Sequence, residues 1–423
     1  MLRPEPHHLS HARAPLADSV PRVLSAGTQG DSADALPASG YRLGREVVLP
    51  RAAEAMVWSG VGLPLECVAV PGVLLRPGDV LVEVELATVC GSDVHTVSGH
   101  RLADKPVVLG HEQVGRIIAI GDQADAANGM PLRLGQRVVW SVTVSCGTCP
   151  RCRRGLPQKC IKLAKYGHER MRRGWELSGG FATHVQVRSG TAIVVVDEQV
   201  PATVLAPASC ATATVVAALG AASALVSLAG ATVLVTGAGM LGVTACAMAT
   251  DAGAVVVVSD PDAARRQLAL AFGAAAVADP GAPCESPTGV ANVLSALQLA
   301  GAAEPTIALE LSGARPAVQC ALDLIGIGGV VVLVGSVSPG EPVRIDPESI
   351  VRRLVTVRGV HNYTPADLQQ AVTYLSGAWH RHPFSALVGP TFNLTKADAA
   401  LALAATARHA RVGLTPQPPA TLG

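Results

Sequence analysis

Seven metal-binding residue positions in this chain fall into two patterns of different chemistry. Cys146, Cys149, Cys152 and Cys160 follow the spacing C-x2-C-x2-C-x7-C within SCGTCPRCRRGLPQKC. Four thiolates fill a tetrahedral shell, which is how a structural zinc is held. The run differs from the iron–sulfur pattern C-x2-C-x2-C-x3-C-P in its last spacing and in having no proline after Cys160. Cys90 opens CGSDVH, His111 lies in GHE and Cys210 lies in PASCATAT. Two cysteines and one histidine supply three ligands and leave a fourth position for water or substrate, the hallmark of a catalytic zinc. The expectation is therefore two zinc ions per chain, one closed and one open. Ten cysteines in 423 residues are too few for a disulfide scaffold. They point to a reducing, cytoplasmic setting in which thiolates stay available.

A second kind of chemistry begins at VLVTGAGMLG, where Gly237, Gly239 and Gly242 form G-x-G-x-x-G around Met240 and Leu241. The motif follows an apolar run, opens a helical pattern and is succeeded by VVVVSD, which ends at Asp260, 18 residues beyond Gly242. That context is the fingerprint of a dinucleotide site. Gly237 permits the tight turn, Gly239 the approach of backbone N–H groups to a pyrophosphate, and Gly242 the packing of helix on strand. The helix N-terminus adds positive potential. Asp260 would accept the ribose hydroxyls and repel a 2′-phosphate, which favours NAD over NADP; Arg265 and Arg266, just beyond, are the features that would favour the phosphorylated cofactor.

The elements that must position these residues are of two kinds. From about Arg45 to Val144 the pattern is β, with runs such as 80–89 and 137–144 broken by Gly and Pro. From Ala231 onward β and α alternate: a strand over 231–235, a helix over 237–250, a strand over 254–259, and further strands within 304–313 and 327–337. This predicts an α/β chain with a doubly wound parallel sheet. Beyond Val360, ADLQQAVTYLSG and ADAALALAATARH read as amphipathic helices that return to the first domain. The expected organisation is a tail over 1–45, a discontinuous zinc domain over 46–211 and 361–423, and a cofactor domain over 212–360. The tail, with His7, His8 and His11, has the composition of a disordered segment and no secretory apolar core. Net charge is +1, which argues against nucleic acid as a partner. Residues 199–250 carry no charge, but glycines punctuate the run and buried parallel strands read this way, so no membrane span is expected.

Taken together, C-G-S-D-x-x-H, G-H-E-x-x-G, the four-cysteine lobe and G-x-G-x-x-G, in this order, resemble the zinc-containing medium-chain alcohol dehydrogenases over roughly residues 50–415. The resemblance implies a GroES-like catalytic domain beside a Rossmann domain. It implies that Cys90, His111 and Cys210 are the catalytic zinc ligands and that Glu112 approaches the metal during ligand exchange. Asp93 would orient the histidine ligand, Ser92 would take the alcohol proton and His95 would end the proton relay. Thr214 and the segment Val334, Gly335, Ser336 and Val337 would line the nicotinamide site, and Arg411 would reach the cofactor phosphates. Gly91 departs from members that carry a basic residue there. Within the family, LATVCGSDVHTVSG, LPQKC, KYGHE, LSGGFATH, CATATV and GVHNYTP are most similar to a subgroup associated with phosphonate metabolism. That likeness implies a hydroxyalkylphosphonate or phosphonate aldehyde as substrate. Lys162, Lys165, His168, Arg170, Arg172 and Arg173 form a basic loop that could meet its oxygens.

The expected chemistry is interconversion of an alcohol with an aldehyde or ketone, using zinc and NAD, in a homodimer or homotetramer. A carbonyl reductase working in biosynthesis and a zinc-stabilised nucleotide-binding protein without turnover are the alternatives. The relay residues Ser92 and His95 argue against the last, since a binding module needs no proton path.

Overall fold

The computed structural model describes residues 44–281 and 287–416. The tail expectation falls outside the described residues except at its end, where the strand Arg45–Trp58 already begins at Arg45.

The first half is β. Val80–Val89 alternates between buried and exposed positions in its middle and is buried at both ends. It runs antiparallel to Glu112–Ile120 on one side and to Arg411–Thr415 on the other. Beyond these, Val388–Asn393 extends one edge of the sheet, and Arg137–Val144 and Ala164–Lys165 extend the other. Strands from both ends of the sequence thus share one sheet. A separate three-stranded sheet joins Glu66–Leu75, Arg45–Trp58 and Val107–Val108. Trp140, Tyr166, Trp175 and Phe181 are buried together between these layers. The candidate metal ligands Cys90 and His111 sit at ends of the central strands Val80–Val89 and Glu112–Ile120.

The second half is a six-stranded parallel sheet. Its order across the sheet is Ala276–Ala278, Val255–Ser259, Thr232–Thr236, Ile307–Glu310, Val330–Leu333 and Thr356–Gly359. In sequence order this is 3-2-1-4-5-6, the doubly wound arrangement. Strand order reverses between Thr232–Thr236 and Ile307–Glu310, so ligands are expected beyond their C-terminal ends. Both strands are buried along nearly their whole length, which is why residues 199–250 read as uniformly apolar. No single helix among the described residues is long and apolar enough to cross a membrane; the bent pair Ala202–Ser209 and Ala211–Ser223 passes on length and composition. Much of that pair is buried in the core.

Helix boundaries moved where backbone geometry demanded it. The helix expected from Gly237 starts at Met240, because Gly237 adopts φ +96° and Gly239 is the N-cap. Thr364 and Asp367 form a capping box that starts the helix Pro365–Ala378. It buries Leu368, Ala371, Val372, Leu375 and Ala378 on one face and packs on Ala211–Ser223. The last helix is shorter than the apolar pattern implied. It ends at Ala405, and Ala407 takes a left-handed φ of +56°. That break turns Arg408 and His409 out of the helix.

Candidate active site

The closed site is assembled. The sulfurs of Cys146, Cys149, Cys152 and Cys160 all lie within 4.8 Å of one another. Cys149 to Cys152 is 3.5 Å, Cys146 to Cys160 is 3.4 Å and Cys149 to Cys160 is 3.9 Å. A tetrahedron with metal–sulfur bonds of about 2.3 Å has sulfur–sulfur edges of about 3.8 Å, so the four cysteines fit a zinc ion. The backbone N–H groups of Cys146 and Lys162 each donate to the Cys160 sulfur at 3.3 Å. Backbone donors from Thr148 and Cys149 pull the Cys146 thiol down to about 6, while burial and the neighbouring thiols push Cys152 up to about 12. Without a cation the cluster cannot release all its protons; a dication supplies the missing charge.

The open site brings together residues from three segments. One ligand atom each from Cys90, His111, Glu112 and Cys210 lies within 4.8 Å of the others. Cys90 is the N-cap of the helix Gly91–Val97, and Asp93 closes a capping box there. Asp93 is fully buried and accepts the N–H of Cys90 at 2.9 Å and that of Gly110 at 3.2 Å. Its other contact is His111 Nδ1 at 3.5 Å, an ion-pair distance. One carboxylate therefore ties the Cys90 loop to the His111 loop and leaves His111 Nε2 facing Ser92 Oγ at 3.3 Å. A hydrogen bond from Cys210 is the main cause that draws the Cys90 thiol well below its ordinary range, against burial and with help from Arg411 and His111. Cys210, the donor, is pushed well above. The donor set of two sulfurs and one imidazole fits zinc.

Glu112 and Arg411 form the floor of this site. Arg411 Nε donates to Oε2 of Glu112 at 2.6 Å and its Nη2 to Oε1 at 2.7 Å; Thr88 adds a hydroxyl at 2.7 Å. Arg411 Nη2 also reaches the Cys90 sulfur at 3.7 Å. The sequence expectation for Arg411 was contact with cofactor phosphates. The structure shows its guanidinium committed mainly to Glu112, at the wall of the cofactor cleft. His95 is exposed one turn after Ser92 on the same helix, with no hydrogen bond between the two side chains.

A cleft of about 540 Å³ lies between that helix and the glycine loop. Gly91 and Val94 form one wall; Ala238, Gly239 and Met240 form another; Arg265, Arg408 and His409 close it. A Cβ on Gly242 would stand 1.8 Å from the Gly237 carbonyl oxygen, so helix and loop are in contact there. Leu241 instead packs against the core. Asp260 is almost fully buried beneath the loop, accepting Ala238 N–H at 2.7 Å and Asp262 N–H at 2.8 Å. Asp262 is the carboxylate on the cleft wall. Arg265 donates to the Ala407 carbonyl at 3.2 Å, whereas Arg266 turns to Asp279. Thr214 donates to the Cys210 carbonyl at 2.6 Å, within its own helix.

Several residues escaped the sequence reading. Glu310 is buried at the end of its strand and accepts Ser312 N–H and hydroxyl, Gly313 N–H, and the Ser336 hydroxyl at 3.2 Å. It fixes the Gly335–Ser336 turn, whose Val334 and Gly335 N–H groups bond the Glu310 carbonyl. Tyr363 donates to the Ser209 carbonyl and accepts Val142 N–H, bracing the Cys210 loop. His168 lies against the His111 ring, with centroids 4.9 Å apart, and meets Arg101 at 3.4 Å. Lys159 contacts His361. Burial, then Arg101 and Lys159, push Lys165 down to about 8. Burial, then Lys165, Lys159 and Arg101, push His361 down to about 4. The expected basic loop is divided: Lys165 and His168 face this cluster, while Arg172 stacks over Trp175 at 5.5 Å. Only pairing of distant segments brings these residues together, so local spacing marked Lys165 and His168 as a basic loop but could not join them to Arg101, Lys159 and His361.

Comparison with known proteins agrees with this geometry. Residues 76–197 match the alcohol dehydrogenase GroES-like domain, and residues 241–377 match the zinc-binding dehydrogenase family. Geraniol dehydrogenase of Castellaniella defragrans is 31% identical over 325 residues, covering 73% of this chain and 83% of that protein. L-threonine 3-dehydrogenase of Edwardsiella ictaluri is 28% identical, over 69% of this chain and 79% of that protein. Among solved structures, an alcohol dehydrogenase from Thermotoga maritima superposes with a TM-score of 0.78 at 28% identity, covering 86% of this chain and 99% of that one. A protein described as a zinc-binding dehydrogenase from Sinorhizobium meliloti, solved bound to NADP, gives a TM-score of 0.73 at 26% identity, with the same coverage. Two zinc-type ligand sets, a 3-2-1-4-5-6 sheet carrying a glycine loop, and relatives of this kind lead to one conclusion: the chain belongs to the zinc-type medium-chain alcohol dehydrogenase family, whose members act on CH–OH groups.

Proposed function

We propose that this protein is a zinc-dependent, NAD-linked dehydrogenase that interconverts an alcohol with an aldehyde or ketone, and that its alcohol is a hydroxyalkylphosphonate. The observation that carries the reading is the open ligand set of Cys90, His111 and Cys210 with Ser92 Oγ 3.3 Å from His111 Nε2. When bound, zinc supplies a Lewis acid for the substrate oxygen and NAD a hydride acceptor.

The chain's own residues then do the following. Cys90, His111 and Cys210 hold the metal, and Cys146, Cys149, Cys152 and Cys160 hold a second. Asp93 fixes the His111 ring. Ser92 Oγ is placed to take the proton of the substrate hydroxyl only as it gives up its own, and His95, exposed on the same helix though not bonded to Ser92, is the group that would release a proton to water. The helix from Met240 and the walls at Arg265 and Arg408 hold the dinucleotide. The nearby carboxylates Asp260 and Asp262 support a preference for NAD over NADP. Segment-wise similarity, and Arg101, which meets His168 at 3.4 Å where that ring lies against His111, support the phosphonate. Thiol-based metal sites fit a reducing cytoplasm.

Among the described residues the strand Thr356–Gly359 is the edge of its sheet, beside the exposed Val351 and Leu354, each 71% accessible. We take a second copy of this chain as its partner, in a homodimer or in a tetramer built from it. The test of the function is NADH formation by zinc-replete protein against a panel of alcohols that includes 2-hydroxyethylphosphonate. Absence of turnover across the panel, with both zinc ions present, would count against it.

A further inference from the structure

The geometry points to the Tyr363 hydroxyl as a positioning group for the open metal site. Through Ser209 it fixes Cys210 and His111 against each other, and so decides how firmly, and in what geometry, that site holds its metal. This rests on the reading of Cys90, His111 and Cys210 as metal ligands.

The three ligands are not supported in the same way. Asp93 accepts the Cys90 N–H at 2.9 Å and meets His111 Nδ1 at 3.5 Å, so one carboxylate orders two of them. Among the described residues, Asp93 makes no bond to Cys210. Cys210 lies at the junction of the short turn Ala206–Ser209 and the helix Ala211–Ser223, with φ −120° and ψ −65° and no side-chain cap. Its place is set by the peptide that joins it to Ser209. At one end of that peptide the Cys210 N–H donates to the Pro207 carbonyl at 3.2 Å; at the other the Ser209 carbonyl accepts the Tyr363 hydroxyl. Ser209 is fully buried, and its own hydroxyl donates to the His111 carbonyl at 3.2 Å. One residue is thus the chain neighbour of one ligand and bonded to the backbone of another.

Tyr363 is anchored from outside the ligand loops. Its hydroxyl oxygen also accepts the Val142 N–H at 3.1 Å. Before it, the Val360 N–H donates to the Leu333 carbonyl at 2.9 Å; after it, Thr364 caps the helix Pro365–Ala378. Its ring is buried in the same core as Val142 and Leu205. A phenol held at its ring, at both flanking residues and at its oxygen gives the Ser209 peptide a fixed reference. Removing that oxygen leaves the Ser209 carbonyl and the Val142 N–H without this partner where water does not replace it. Groups that orient metal ligands typically cost about 10–100-fold in metal affinity when they are lost.

The test uses full-length protein with zinc at the four cysteines and cobalt(II) at the open site, unmutated and as Tyr363→Phe, Ser209→Ala and Leu297→Ala. Tyr363→Phe removes only the hydroxyl. Ser209→Ala keeps Tyr363 and removes the bond to His111. Leu297→Ala opens a cavity in the core of the parallel sheet, and lowers stability without touching a ligand loop. Release of cobalt to a chelator and the visible d–d bands, which report ligand geometry, are measured on each. Tyr363→Phe and Ser209→Ala should release cobalt about 10–100-fold faster and shift the bands, with zinc release from the four cysteines unchanged. Leu297→Ala should leave both cobalt readouts as they are. Unaltered bands and release in either of the first two variants, or an equal acceleration in Leu297→Ala, would overturn the proposal; where Tyr363→Phe does not fold, Ser209→Ala decides. Unmutated protein that binds metal only at the four cysteines would overturn the metal reading itself, and this proposal with it.

Discussion

Glu112 is a fully buried carboxylate held by Arg411 and Thr88 directly beside the sulfurs of Cys90 and Cys210. Its burial pushes its pKa up, and Arg411 opposes that rise. Removing the cation in Arg411→Met leaves the acid buried and unpaired, which costs about 3–5 kcal/mol. The loss depends on pH. The folded-state pKa of Glu112 then stands further above its unfolded value of about 4.3. Above that pH the folded protein holds a proton that the unfolded chain releases, so stability falls as pH rises through the folded pKa. Thermal melts at pH 5 and pH 8 should show the larger deficit at pH 8; an equal deficit would mean Glu112 does not carry the effect. His95 belongs to a different class of residue, exposed and away from the bond that breaks. His95→Ala should slow alcohol oxidation about 10²-fold near neutral pH, and less as pH rises and hydroxide replaces the relay. Profiles of kcat that run parallel from pH 6 to 10 would remove His95 from the proton path.

At the scale of elements, the glycine loop depends on two supports. One is the contact of Gly242 with the Gly237 carbonyl, and the other is the Asp260 carboxylate under Ala238 N–H. Gly242→Ala must lift the helix Met240–Asp251 off the loop, an overpacking that costs about 1–3 kcal/mol, and should weaken NAD binding in a calorimetric titration. Asp260→Ala should narrow the preference for NAD over NADP. Because the carboxylate also holds the loop, it should lower affinity for both cofactors; unchanged NAD affinity would place Asp260 outside the site. Sequence patterns revealed those parts of the architecture whose signals are local. The four cysteines lie within one lobe, and the glycine loop lies between one strand and one helix. The bond of Asp93 to the Cys90 N–H is just as local, three residues long, but the sequence reading tied Asp93 only to the histidine. What stayed hidden is non-local: Arg411 on Glu112, Glu310 on Ser336, and Arg101 with Lys165 and His361 are joined only after distant strands pair. The end of the last helix was misjudged for another reason, since apolar periodicity continues through a segment that the left-handed Ala407 breaks.

At the scale of the whole molecule, two sheets meet at a cleft, and one of them has Thr356–Gly359 as an edge among the described residues. If the proposed dimer forms along this edge, paired Val351→Glu and Val357→Glu substitutions should give monomers by light scattering, because like charges would face each other across a two-fold contact; an unchanged mass would place the interface elsewhere. One paired measurement tests whether the open site makes this fold a catalyst. Zinc content and NADH formation from the alcohol panel are determined on the same preparations of unmutated protein and Cys90→Ser. The unmutated protein should hold two zinc ions per chain and turn over, and Cys90→Ser should hold one and not turn over. Turnover by Cys90→Ser holding a single zinc ion, or none by the unmutated protein holding two, would contradict it.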